Sequence, residues 1–293
     1  KDHPEIFSIG DDTQALSDLE RLDIFQFLIS QNDFAAIKPL NAPYLFLSAA
    51  IDQIKTLKRE HVSPEKFSSL LKDEQKLLDT TQDELGKTLL AQKQKDLIKN
   101  QDLYKLYSLY QKELKKRARF DFEDMINFVV DRFTSDPELL LSYQERLQYI
   151  LVDEYQDTNS AQNELVFKLA SFWDNPNLFV TGDPSQSIFR FQGASLENSQ
   201  EFISRFPKAT IISLTDNYRS TATILDSATT LIKNNPSLLP NLTHLNLTAT
   251  TKLKQFPIHL IDSPDSHTED GFLLDQISSL LKQGTPPSDI AVI

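Results

Sequence analysis

The sequence predicts an α/β protein in which a long helical segment precedes a parallel sheet. Three observations carry this. Up to about Gln148, apolar residues recur at spacings of three and four. After it come short apolar runs at residues 149–152, 178–180 and 210–214 that lack this period. Each run stops at a polar cluster leading into another helical pattern.

In the first half, the period predicts helices over residues 16–29, 42–57, 67–78 and 97–114. Pro39, Pro43, Pro64 and Pro137 stand where helices start or stop. The run Tyr149-Ile150-Leu151-Val152 is branched or aromatic without polar alternation, as expected of a strand buried on both faces of a parallel sheet. It halts at Asp153-Glu154, followed by Tyr155-Gln156-Asp157-Thr158-Asn159. The second strand enters Thr181-Gly182-Asp183-Pro184-Ser185-Gln186-Ser187-Ile188-Phe189-Arg190-Phe191-Gln192-Gly193-Ala194, and the third enters Thr215-Asp216-Asn217-Tyr218-Arg219-Ser220. A helix over 220–233, a Pro- and Asn-rich loop to Thr251, a strand over 256–261, a helix over 269–282 and a last strand over 289–293 complete the expectation. Three strands ending in polar clusters are the layout of a nucleotide-binding α/β domain, whose ligands lie beyond the carboxyl ends of the strands.

Composition narrows the class. With 293 residues, 40% hydrophobic and 25% charged, the chain is long enough for two domains with real cores. It has no cysteine, which excludes disulfides and thiolate metal sites. It also has no apolar run approaching a membrane span and no signal-peptide pattern, so the expected setting is cytoplasmic and away from membranes. The five histidines are scattered without ligand spacing, and no transition-metal site is expected.

A net charge of −12 argues against indiscriminate nucleic-acid binding, yet residues 93–119 hold nine Lys or Arg against three acids. That basic face reads either as a solvated helix surface or as a phosphate contact. Tyr104, Tyr107 and Tyr110 interleave it at a spacing that favours a core stripe over base stacking. The chain starts at Lys1 and ends within an apolar run, so a fragment of a longer protein is expected.

Adjacent carboxylates at a strand's carboxyl end suit a divalent cation, one holding the ion and the other orienting or deprotonating a nucleophile. Alternatively they cap the next helix. The three clusters together decide between these readings, because in this order and spacing they resemble the UvrD/Rep/PcrA group of superfamily 1 DNA helicases. Residues 153–159 resemble that group's Walker B segment, 182–194 its motif III and 214–220 its motif IV. Asp121-Phe122-Glu123-Asp124 is similar to its Asp-Phe-Asp-Asp segment.

The resemblance implies a partial P-loop NTPase (RecA-like) parallel sheet with a large helical insertion. Residues 1–146 would form the insertion, 147–215 the later half of the first RecA-like lobe, and 216–293 the start of the second. It implies ATP and Mg2+ as cofactors, with Asp153 holding magnesium and Glu154 activating water. Gln186 and Arg219 would meet the γ-phosphate, and Tyr218 would stack on adenine. Phe189, Arg190 and Phe191 would contact single-stranded DNA, although the two phenylalanines also fit a core. Gln192 departs from the group's usual arginine, and Pro184-Ser185 from its frequent acids. Asp157 and Thr158 would shape the turn after Walker B, and Asn217 would fix the loop that presents Arg219.

Such a protein is expected to act as a 3′–5′ helicase or translocase on single-stranded DNA and single-strand/duplex junctions, with room for a protein loading partner. The alternatives are an ATPase-inactive DNA- or partner-binding module and the motor subunit of a recombination helicase-nuclease. A phosphate loop requires Gly-x-x-x-x-Gly-Lys-Ser/Thr after a strand. Gly86-Lys87-Thr88 has Thr81 at the first glycine position and no preceding strand, so it reads as a decoy, and this chain alone is expected to be inactive.

Overall fold

The computed structural model describes residues 13–81, 86–187, 196–234 and 247–293. The chain divides into two compact units, Lys1–Thr210 and Ile211–Ile293.

The first unit opens with β1 (Gln14–Ala15) and α1 (Asp18–Gln31), α2 (Leu47–Arg59), α3 (Pro64–Thr81) and α4 (Lys87–Lys116). Helix α1 starts where Ser17 and Glu20 close a capping box: the Ser17 hydroxyl accepts from the Glu20 N–H at 3.2 Å, and Glu20 accepts from the Ser17 N–H at 3.0 Å. Its buried stripe of Ile24, Phe25, Leu28 and Ile29 faces α4, where Tyr110 stacks on Phe25 with ring centroids 4.3 Å apart. Each such buried side chain contributes roughly 1.5–3 kcal/mol. Tyr107 and Tyr110 are 2% and 1% exposed, so the tyrosine stripe is core. Gly86 is the N-cap of α4, and the element described before it is helix α3 rather than a strand, so Gly86-Lys87-Thr88 lies at the start of a 30-residue helix. The basic residues Lys93, Lys95, Lys99, Lys112, Lys115 and Lys116 are exposed along α4.

Next come β2 (Arg119–Phe120), which pairs in parallel with β1, and then α5 (Phe122–Ser135), α6 (Pro137–Arg146), β3 (Ile150–Val152), α7 (Ser160–Ala170), β4 (Leu178–Val180) and α8 (Leu196–Arg205). A buried charge cluster ties α2 to the start of α5. Lys58 Nζ lies 2.7 Å from Asp121 and 2.8 Å from Asp124, the Tyr110 hydroxyl donates to Asp121 at 2.7 Å, and Arg59 reaches Glu123 at 3.1 Å. Helix α7 packs on α5 and α6.

Strands β3 and β4 are parallel, with Ile150 opposite Leu178, Leu151 opposite Phe179 and Val152 opposite Val180. The expected burial on both faces is not what this chain shows. Leu151 and Phe179 are 74% and 56% exposed, because among the described residues only these two strands pair here and nothing covers the side chains turned outward.

In the second unit, β5 (Asp216–Asn217) pairs in parallel with β6 (Thr248–Ala249), α9 (Ala222–Ile232) packs against β6, and α10 (Ser266–Lys282) follows. The strands expected over 210–214, 256–261 and 289–293 do not form. Ile212, Leu214 and Leu260 are 74%, 80% and 95% exposed, and among the described residues none of these runs has a neighbouring strand to hydrogen-bond.

Candidate active site

Two loops leave the β3–β4 ladder side by side. Backbone pairing continues past the strands: Thr181 N–H donates to Val152 O at 2.9 Å, and Tyr155 N–H donates to Thr181 O at 2.8 Å. This places the acidic turn from β3 against the turn from β4, the arrangement expected at the carboxyl edge of a parallel sheet.

Asp153 and Glu154 are both exposed at this edge. Asp153 Oδ1 accepts from the Thr181 hydroxyl and, at 3.0 Å, from the Glu154 N–H. The Thr181 hydroxyl, and after it that N–H, hold the Asp153 carboxyl below its usual range, so it is ionised at neutral pH. Glu154 adopts a left-handed backbone, φ 49° and ψ 45°. A non-glycine residue there costs on the order of 1 kcal/mol or more, and such residues cluster at functional sites. Neither acid caps α7. That role falls to Asn159, whose side chain accepts from the Gln162 N–H at 3.0 Å while Gln162 accepts from the Asn159 N–H at 2.9 Å.

The turn Tyr155–Asp157 is anchored from below. Tyr155 is 4% exposed, its hydroxyl bonds Asn163, and its ring meets Phe202 of α8 edge-on at 5.4 Å. Burial pushes the Tyr155 phenol well above its ordinary range. The Thr158 hydroxyl donates to Tyr155 O at 2.7 Å, and Asn198 of α8 donates to Thr158 O at 2.7 Å. Thr158 therefore does shape the turn. Asp157 Oδ1 is buried without a hydrogen-bond partner among the described residues.

Gln156, which sequence reasoning did not single out, is 3% exposed and bridges the two loops. Its Nε2 donates to Glu154 at 2.7 Å, and its Oε1 accepts from the Asp183 N–H at 3.0 Å. Gly182 permits this approach, because a Cβ there would lie 2.6 Å from Gln156 Oε1. On the second loop, Asp183 accepts from the Ser185 N–H at 3.0 Å and from Gln186 Nε2 at 2.7 Å, and Gln186 is exposed. Asp153, Glu154 and Gln186 thus belong to one hydrogen-bonded pair of turns. Phe189, Arg190 and Phe191 lie outside the described residues.

Tyr218 and Arg219 belong to the second unit, where both are exposed. Asn217 Oδ1 accepts from the Arg219 N–H at 3.0 Å and the Ser220 N–H at 2.7 Å, so Asn217 folds the loop that carries Arg219. Among the described residues, no three His, Cys, Asp or Glu side chains are grouped to hold a metal ion, and no helix is long and apolar enough to cross a membrane.

A mixed α/β chain with small parallel sheets and an acidic turn at a strand end is the class these observations define. The chain belongs to the UvrD/REP helicase family: residues 25–207 match the UvrD/REP helicase N-terminal domain. It is 36% identical over 237 residues to "ATP-dependent DNA helicase PcrA" of Staphylococcus aureus (strain Mu50 / ATCC 700699), covering 81% of this chain and 31% of that protein. The protein of the same name from Leuconostoc citreum is 38% identical over 189 residues, covering 64% of this chain and 24% of that protein. The one from Bacillus subtilis (strain 168) is 47% identical over 135 residues, covering 46% and 18%. The chain therefore spans less than a third of the curated relatives it matches.

Proposed function

We propose that this chain is part of an ATP-dependent DNA helicase that moves 3′–5′ on single-stranded DNA and unwinds duplex at junctions. The family, and the names of relatives called ATP-dependent DNA helicases, support the reading. The observation that carries it is the pair of turns at the carboxyl ends of β3 and β4, where an ionised aspartate, a strained glutamate and a tethered glutamine converge.

The donor set fits magnesium. Asp153 is exposed, ionised and oxygen-bearing, and Mg2+ characteristically takes one or two carboxylates while water and phosphate complete its shell. When bound, Mg2+ neutralises phosphate charge. Asp153 would hold the ion. Glu154, held by Gln156 at 2.7 Å, would orient and deprotonate the attacking water. Gln186 would sense the γ-phosphate, Arg219 would offset charge that grows in the transition state, and Tyr218 would stack on adenine. Phe189, Arg190 and Phe191 would bind the DNA strand through stacking and charge.

In this reading, residues 1–146 form the helical insertion, 147–215 the later part of a P-loop NTPase (RecA-like) lobe, and 216–293 the start of a second. The phosphate loop would come from outside the described residues, since Gly86-Lys87-Thr88 begins a helix that follows another helix. This stretch alone would then not turn over ATP.

The test is translocation by the full-length protein on oligonucleotides labelled at either end. Dye signal from the 5′ end is expected under ATP and Mg2+. Arrival at the 3′ end would overturn the polarity.

A further inference from the structure

Gln156 joins the two turns through a single amide. Its Nε2 donates to Glu154 Oε2 at 2.7 Å, and its Oε1 accepts from the Asp183 N–H at 3.0 Å. The amide orientation is fixed by chemistry, because the Asp183 backbone N–H only donates and so must face the side-chain oxygen. The Gln156 backbone carbonyl also receives the Ser187 hydroxyl at 3.4 Å, and Asp183 in turn holds Gln186 at 2.7 Å. An unbroken hydrogen-bonded chain therefore runs Glu154, Gln156, Asp183, Gln186. Gln156 is 3% exposed, so water cannot readily substitute for its amide. Gly182 keeps a side chain out of the space the amide needs.

We propose that Gln156 is a positioning residue that sets the Glu154 carboxylate according to the state of the turn bearing Gln186, which links nucleotide sensing to water activation. The proposal rests on the reading of Glu154 as the group that activates water. Glu154 sits in a left-handed backbone with an exposed side chain, and among its hydrogen-bonding contacts the Gln156 amide is the one that fixes the carboxylate. The positioning is asymmetric. The donor half acts on Glu154, and the acceptor half anchors Gln156 to the neighbouring turn.

The experiment measures steady-state ATP hydrolysis by the full-length protein with Mg2+ and saturating oligo-dT, for wild type, Gln156→Glu, Gly182→Ala and, as control, Glu154→Gln. Gln156→Glu keeps the shape and the acceptor but removes the donor that faces Glu154. Gly182→Ala displaces the same amide from the opposite side without altering it, so a folding defect in one variant leaves the other to decide. Both are expected to lower kcat about 10- to 100-fold, the range for losing a hydrogen bond to a charged group, with KM for ATP and Kd for oligo-dT within about twofold of wild type. The double variant is expected to be no worse than the poorer single one, because both break one link.

A kcat within about threefold of wild type in both variants overturns the proposal, as does a fall in kcat matched by equal weakening of ATP and oligo-dT binding, the signature of a structural role. A wild type without turnover, or a Glu154→Gln variant as active as wild type, overturns the Glu154 assignment and this proposal with it. An inactive Glu154→Gln beside fully active Gln156→Glu and Gly182→Ala removes only this proposal.

Discussion

Replacing Lys58 by Met tests how the helical part is fixed to the segment that leads to the acidic turn. Lys58 is 1% exposed and meets Asp121 at 2.7 Å and Asp124 at 2.8 Å, with its ammonium 4.9 Å from the centre of the Tyr110 ring. At an effective dielectric of about 20, each ion contact is worth about 6 kcal/mol before desolvation. Taking the ions out of water cancels most of that, but removing one partner leaves the other charges buried without compensation, a loss of about 3–5 kcal/mol. The assay is urea unfolding of this chain followed by tryptophan fluorescence, which reports the first unit because Trp173 is the single tryptophan. Lys58→Met should lower stability by that amount, and adding Asp121→Asn and Asp124→Asn should restore more than half of it. A loss under about 1 kcal/mol, or a triple variant as weak as the single one, would refute the reasoning.

Two further outcomes follow from neighbouring residues. Burial pushes Asp124 up to about 6 against the pull of Lys58, whereas for Asp121 burial is outweighed by Lys58 and its hydrogen bonds, which leave that carboxyl below its usual range. An acid raised in the fold holds protons more tightly when folded, so the Asp124 contribution to stability should improve as pH falls from about 6 towards 3.8, and the Asp121 contribution should be lost only below 3.8. Asp124→Asn should flatten the wild-type rise in urea midpoint between pH 6 and pH 4, and an unchanged slope would remove Asp124 as its source. Asn159→Ala should cost about 1 kcal/mol by opening the capping box of α7, and a silent variant in the same unfolding assay would show that the box contributes nothing.

Much of the helical framework was legible because period and punctuation agree. Pro64 and Pro137 open α3 and α6, and the apolar spacing over 97–114 lies inside α4. The acidic pair was legible because the apolar run of β3 ends where it begins, and the parallel partner at Leu178–Val180 carries the same signature. The runs over 210–214 and 256–261 were misread for the opposite reason. Branched apolar residues state a preference for burial but not which strand will pair with them, and among the described residues no strand pairs with these runs. Lys58 was not singled out, because its partner Asp121 lies 63 positions away in sequence. Gln156 was passed over for a related reason: an amide beside two acids looks like turn filler until the fold brings the Asp183 N–H and the Glu154 carboxylate to its two ends.

The most direct measurement of the central claim is Mg2+-dependent ATP hydrolysis by the full-length protein, with and without single-stranded DNA, for wild type and Glu154→Gln. Wild-type turnover should be stimulated by DNA, and the variant should still bind nucleotide but lose at least about 100-fold in kcat. Wild-type protein that binds DNA without hydrolysing ATP, or a Glu154→Gln variant with undiminished turnover, would contradict it.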